Sequence, residues 1–203
     1  MISACRVMFV VCAVVFCLMA LSRSAPLTCK DLLRPLDQVD LHHLEGRWAL
    51  VAGSLSDPTL IERFGRRDSA SSSFFNNTSE SSILFKRILN MDNKCHSSSY
   101  NISLEGSSFT IRDGNVTTTF THTTCHDCIL LSFDVESGKR QHFYLFSRRR
   151  QLEQREMEEF RAQVACLNMP PPVVMDPTKE LCPEETPSDP AAGPKEKAEG
   201  KKD

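Results

Sequence analysis

The sequence predicts an all-β domain, a sandwich or a closed antiparallel barrel, with one helix lying on its outside near the C-terminus. Between Trp48 and Ser147, short apolar or β-branched stretches recur at short spacing, parted by turn-forming pairs such as Glu105-Gly106 and Asp113-Gly114. A single later segment, 152–167, places Met157, Phe160, Val164 and Leu167 at helical spacing among Glu, Gln and Arg, and Pro170-Pro171-Pro172 stops it. After the first two dozen residues nothing approaches the roughly 20 apolar residues of a membrane-spanning helix.

The chain opens with Arg6, an unbroken apolar run from Met8 to Leu21, and then Ser22 and Ser24, the order of a secretory signal peptide. Pro26 disfavours a cut after Ala25, so cleavage is expected after Ser24. Residues 1–24 then form the leader, 25–182 the domain and 183–203 a charged tail. That tail holds Pro, Ala, Gly, Lys and Glu with nothing large and apolar, a composition that cannot bury a core.

The first strand, Trp48 to Leu55, is introduced by Gly46-Arg47-Trp48, which carries the one tryptophan of the chain. Glycine lets the backbone pass close beneath the indole, and a large apolar body with one donor suits a plug for one end of a core. A polar connection follows through Asp57, Pro58 and Arg66-Arg67. Ser71–Phe75 and Ser82–Leu89 should pair across a turn at Asn76-Asn77. Cys95–Leu104, Phe109–Arg112 and the threonine-rich Val116–Thr123 come next. Ile129–Val135 and Gln141–Ser147 flank Glu136-Ser137-Gly138-Lys139 and complete eight strands. The narrow apolar stripe of the final helix suits the outside of a sheet.

A formal net charge of −2 over 203 residues offers no electrostatic footprint for a polyanion, so nucleic acid is not expected as a partner. The basic run Arg148-Arg149-Arg150 is short and followed by acids, as at a solvated helix start. Removing the leader takes Cys5, Cys12 and Cys17 and leaves Cys29, Cys95, Cys125, Cys128, Cys166 and Cys182. An even number in an oxidising compartment argues for as many as three disulfides, whose pairing spacing alone leaves open. Sequons at Asn76, Asn77, Asn101 and Asn115 agree with export and predict at least one surface glycan.

Taken together, Pro26-Leu27-Thr28-Cys29, the Gly46-Arg47-Trp48 strand, Phe133-Asp134-Val135, the stretch from Phe160 to Cys166-Leu167, and Cys182-Pro183 before a charged tail resemble the lipocalins in order and spacing. Within that family the chain is most similar to the plasma α-1-acid glycoprotein group and its fish relatives that bind tributyltin, saxitoxin or tetrodotoxin. The resemblance spans roughly residues 25–185. It implies an eight-stranded antiparallel up-and-down barrel with an internal cavity and one C-terminal flanking helix. It also implies bridges Cys29–Cys166 and Cys95–Cys182. Cys125 and Cys128 are then left to pair with each other, as in the fish members. A redox Cys-x-x-Cys should open a helix after a strand, whereas this one precedes a strand, and zinc held with His126 or His142 is equally disfavoured. Lipocalins commonly stack an arginine from the end of the last strand on the Gly-x-Trp tryptophan. Arg148 is the candidate here, with Arg149 as the alternative.

Strand alternation nominates the cavity wall. Ile129, Leu131, Phe133 and Val135 share one face, and His142, Tyr144 and Phe146 share the facing one. Leu50, Leu131, Phe133, Tyr144 and Phe146 resemble ligand-contacting positions of α-1-acid glycoprotein. Phe74, Ile83 and Phe85 should complete the wall, with Arg87 and Arg112 nearer the mouth. The expectation is a secreted, monomeric plasma carrier without enzymatic activity, cofactor or metal, which holds a small hydrophobic or amphipathic molecule, including xenobiotics or toxins. The alternatives are an apolipoprotein-M-like lipid carrier of lipoprotein particles, which would keep its leader as an anchor, and a thiol-based enzyme.

Overall fold

The computed structural model describes residues 27–77, 82–111 and 114–184. The leader assigned to 1–24, the tail beyond Glu184 and the site candidate Arg112 lie outside the described residues. Eight antiparallel strands form the body: β1 (Gly46–Leu55), β2 (Arg67–Asn77), β3 (Ser82–Met91), β4 (Lys94–Ile102), β5 (Ser108–Ile111), β6 (Val116–Thr121), β7 (Cys128–Val135) and β8 (Arg140–Ser147). Their spatial order is β4-β3-β2-β1-β8-β7-β6-β5, so pairing of β1 with β8 joins the first strand to the last. Strands β4 and β5 are the two ends of that order, and the barrel is nearly closed.

Strict alternation would put Trp48, Leu50 and Ala52 on one face of β1. A register shift against β8 between Leu50 and Ala52 breaks that pattern by one residue. As a result Trp48, Leu50 and Leu55 all join the interior cluster, whereas Val51 and Ala52 both join the outer one. The exterior of β1, β7 and β8 is covered by one helix (Gln154–Cys166), whose Met157, Phe160 and Val164 pack on Leu130, Phe143 and Leu145. Phe160 stacks on Phe143 at 5.5 Å between ring centroids. Burying one such side chain contributes about 2–3 kcal/mol. The buried Gln163 on the same face donates from Nε2 to the carbonyl oxygens of Leu32 and His122, both at 2.9 Å, tying the helix to the N-terminal segment. Past the prolines a short strand, Val173–Val174, pairs with β1.

The segment 176–184 runs along the outer face of β2. Ser69 donates to the Glu180 carbonyl at 2.7 Å, and Ser73 bonds the Glu184 carboxylate. The serine-rich sequence of β2 thus serves an outer face that holds a polar strap and an inner face that leaves room. Three disulfides staple the frame: Cys29–Cys166 and Cys95–Cys182 at separations of 137 and 87 residues, and Cys125–Cys128 at a separation of 3. In the chain-entropy model each long loop contributes about 5 kcal/mol and the short one about 2 kcal/mol.

Four details correct the expected element map. The polar connection after β1 is a helix, α3 (Pro58–Gly65), preceded by the single turns α1 (Cys29–Leu32) and α2 (Leu41–Leu44); the long outer helix is therefore α4. The Asp57 carboxylate accepts from the Thr59 N–H at 2.9 Å, Pro58 occupies the first helical turn, and Leu60, Ile61 and Phe64 recur at helical spacing. Asn76 and Asn77 are not a turn but the last residues of β2, pairing with Ile83 and Ser82, because the register set by Phe74 opposite Phe85 carries the ladder past them. Cys95–Leu104 is shortened to end at Ile102, and Val116–Thr123 ends at Thr121, where residues 34–36 of the N-terminal segment take over as hydrogen-bond partners.

Candidate ligand-binding site

The barrel interior divides into an aromatic closed half and a hollow open half. In the closed half Phe74 and Phe85 stack at 4.8 Å, and Phe109 and Phe120 meet them edge-on or tilted. Trp48 is fully buried beside them and donates from Nε1 to the Leu44 carbonyl at 2.8 Å. The Arg148 guanidinium lies 3.7 Å from the Trp48 ring centroid and donates to the carbonyl oxygens of Arg47 at 2.8 Å and His43 at 2.9 Å, and to that of Glu45. Arg149 instead pairs with Asp127 at 2.6 Å and Glu156 at 2.6 Å, pinning the Cys125–Cys128 turn to α4. Hydrogen bonding to Arg149 holds both carboxyls below their ordinary pKa.

The open half contains two adjoining compartments of about 280 Å³ and 160 Å³. Arg67, Arg87, Leu89 and Tyr144 border both. The outer compartment adds Phe64, Phe133, Arg140 and His142; the inner one adds Leu50, Phe146, Ser72 and His96. Cross-strand register explains the inner wall, since Trp48, Ser72, Arg87 and Ser98 lie opposite one another along β1, β2, β3 and β4. Small hydroxyl-bearing residues in that row leave the space that phenylalanines fill one row below.

Of the ten ligand candidates, Leu50, Phe133, His142, Tyr144 and Phe146 therefore border the hollow. Phe74, Ile83, Phe85 and Leu131 do not: all four are buried in the interior cluster, at or below the level where aromatic rings fill the barrel. Alternation identifies which face of a strand looks inward. It does not say how deep along the barrel the hollow reaches.

Several bordering residues were absent from the sequence expectations, Phe64 and Arg67 among them. Phe64 reaches the mouth from α3, stacks on Tyr144 at 5.4 Å and is itself covered by the Arg67 guanidinium, 4.5 Å from its centroid. The stack needs Gly53, where any Cβ would sit 2.4 Å from Phe64 Cζ and 2.6 Å from Tyr144 Cδ1. Arg67 lies before the register shift that follows it in β2. The cap signal Asp57-Pro58 with the apolar spacing of Leu60, Ile61 and Phe64 could have revealed α3; the inward turn of Arg67 had no local signal.

The electrostatics are one-sided. Among the described residues, four arginines, Arg63, Arg67, Arg87 and Arg140, border the two compartments, and no carboxylate does. Burial, then Arg87, Arg67 and Arg140, push the His142 pKa down to about 4, so the imidazole is neutral at physiological pH. Burial raises the Tyr144 pKa, and its hydroxyl accepts a hydrogen bond from Arg67. That oxygen lies 3.2 Å from His142 Nδ1. Donor and acceptor in that pair follow the histidine tautomer, and the proton sits on Nε2 when Nδ1 accepts from the tyrosine. Both His142 Nε2 and Arg67 Nε are buried without a protein partner. The mouth therefore holds an unsatisfied Arg67 donor beside the unpaired His142 Nε2 among cations, an arrangement that favours an acceptor bearing negative charge.

Among the described residues, Cys125, Asp127 and Cys128 could be considered as metal ligands by proximity, but both sulfurs are in the disulfide and the carboxylate is held by Arg149. No helix among the described residues is long and apolar enough to cross a membrane. Exposed sequon asparagines are Asn76, Asn101 and Asn115; the Asn77 side chain lies outside the described residues.

Residues 36–185 match the family model of the ApoM domain. No curated protein matches the chain at a significant level. Among solved structures, the siderocalin Ex-FABP, described as functioning through dual ligand specificities, superimposes with a TM-score of 0.57 at 14% identity, covering 66% of this chain and 93% of its own. At that identity the likeness concerns the lipocalin fold alone.

Proposed function

This chain belongs to the ApoM-domain family, and from that premise we infer that it is a secreted carrier which holds an amphipathic acid, with the hydrocarbon in the barrel and the acidic group at Arg67, Arg87 and His142. The observation that carries the reading is the buried, unpartnered Arg67 Nε donor beside the unpartnered His142 Nε2, in a hollow lined by guanidinium groups and, among the described residues, by no carboxylate. Leaving such a donor unsatisfied costs about 1–3 kcal/mol, which a carboxylate or phosphate oxygen would restore. Leu50, Phe133 and Phe146 supply apolar wall, and burial at about 25 cal/mol per Å² makes micromolar affinity accessible without close fit. The same positive lining opposes a cationic toxin as the guest. It supports a lipid-like acid, and the family match supports the lipid-carrier reading alongside the plasma-carrier one. The long-loop disulfides suit an oxidising extracellular compartment.

The test compares a fluorescent long-chain carboxylate with its methyl ester and with a trimethylammonium analogue of equal length. The carboxylate should bind with about micromolar Kd, and Arg67→Gln should weaken it about tenfold while leaving the ester unchanged. Equal affinity for acid, ester and ammonium, or indifference to Arg67→Gln, would sink the acidic-head assignment.

A further inference from the structure

A further space lies outside the barrel hollow. A separate cleft of about 300 Å³ lies at the closed end and shares no bordering residue with either barrel compartment. Residues 34–36 attach beside the end of β6, with the Leu36 N–H donating to the Phe120 carbonyl at 2.9 Å and the His122 N–H to that of Arg34 at 3.0 Å. The chain then passes through Val39 and α2 towards Gly46, which forms one side of the cleft. The β6–β7 connection, closed by the Cys125–Cys128 bridge and held to α4 by Arg149, forms the other. Phe120, which borders the cleft, packs against Phe74 and Phe109 in the ring-filled half of the barrel, and no residue borders both cleft and hollow.

The chemistry of the cleft is the reverse of that in the barrel. Its wall is Leu36, Val39, Phe120, Ile129 and the disulfide, with His43 and His126 also at its border, and among the described residues no arginine or lysine borders it. The carboxylate at its edge is Asp40. One of its oxygens accepts from the His42 N–H at 2.9 Å, and among the described residues Asp40 forms no ion pair. An apolar wall with a carboxylate and no cation is complementary to a hydrophobic guest that carries one positive charge. We propose that this cleft is a second ligand site, which takes a small apolar amine with its hydrocarbon against Val39, Phe120 and the Cys125–Cys128 bridge and its ammonium at Asp40. The site is independent of what the barrel carries. The molecule then holds two guests of opposite charge at once, one at each end.

The experiment titrates the secreted protein with 1-naphthylmethylamine, alone and after saturation with the fluorescent carboxylate, and includes naphthalenemethanol as the uncharged control. The amine should bind equally well in both cases. Val39→Trp, which fills the cleft from a partly exposed position, should weaken the amine by at least about tenfold and leave carboxylate binding intact, which also reports a folded barrel. Thr123→Trp provides the same test from the opposite wall. Asp40→Asn should weaken the amine about fivefold and leave the alcohol unchanged. Displacement of the amine by the carboxylate, an affinity unmoved by both tryptophan variants, or no amine binding at all would overturn the second site. Carboxylate binding, measured separately, decides the barrel reading whichever way this one falls.

Discussion

Gly53→Ala is the smallest change that tests how the mouth of the barrel is built. The added methyl would stand 2.4 Å from Phe64 Cζ and 2.6 Å from Tyr144 Cδ1, against an ordinary carbon contact of about 3.5–4.0 Å, so one ring must retreat by about 1 Å or more. Tyr144 is held in β8 between Phe133 at 5.3 Å and Phe146 at 6.3 Å and bonds His142, whereas Phe64 projects from a two-turn helix at the rim. Phe64 is therefore the ring that gives way. Overpacking of this kind costs about 1–3 kcal/mol, and part of the burial of a 1% exposed phenylalanine is lost with it. We expect a loss of about 2–3 kcal/mol in urea denaturation followed by circular dichroism. The attribution is checked in a Phe64→Ala background, where the same substitution should cost less than about 1 kcal/mol because the obstructing ring is gone. Association of the carboxylate probe should be faster in either single variant. An equal cost of Gly53→Ala in both backgrounds would refute the account, as would no cost in the wild type.

Arg148→Ala should destabilise the protein by about 2 kcal/mol in the same assay, since it removes the guanidinium over Trp48 and its three bonds to backbone carbonyls; carboxylate affinity should change less than twofold. A loss of ligand affinity without loss of stability would contradict the purely structural role. For His142, the folded pKa of about 4 lies below the ordinary 6.5, so the unfolded chain takes up the proton first. Its contribution is fully present above about pH 6.5 and is lost as the pH falls towards 4. Denaturation midpoints should thus fall more steeply between pH 7 and 4.5 for the wild type than for His142→Gln; parallel curves would show that the imidazole does not titrate as buried.

The readable parts of the site were those that depend on period and order. Alternation over Ile129–Val135 and Gln141–Ser147 placed Phe133, Tyr144 and Phe146 on inward faces, and all three border the hollow. The same rule also nominated Phe74, Phe85 and Leu131, which are inward but lie in the filled half of the barrel. Height along the barrel depends on strand tilt and stagger, and a period of two residues carries no information about either. Arg67 and Phe64 escaped notice for a related reason, since one sits beside a register shift and the other on a short helix whose apolar residues make sense only against a barrel mouth.

What the sequence determined by itself was local and cumulative: strands from alternation and turn residues, the outer helix from the spacing of Met157, Phe160 and Val164, and a disulfide framework from the even number of cysteines after the apolar N-terminal run. These follow from interactions between near neighbours, or from compositions that act wherever the chain goes. The tertiary structure alone decided that the hollow is cationic, that His142 is held neutral, and that a second cleft of opposite character lies at the closed end. Each depends on groups far apart in the chain, such as Arg67 with Tyr144 or Val39 with Cys128, and the field and the space they share exist only once the strands close on one another.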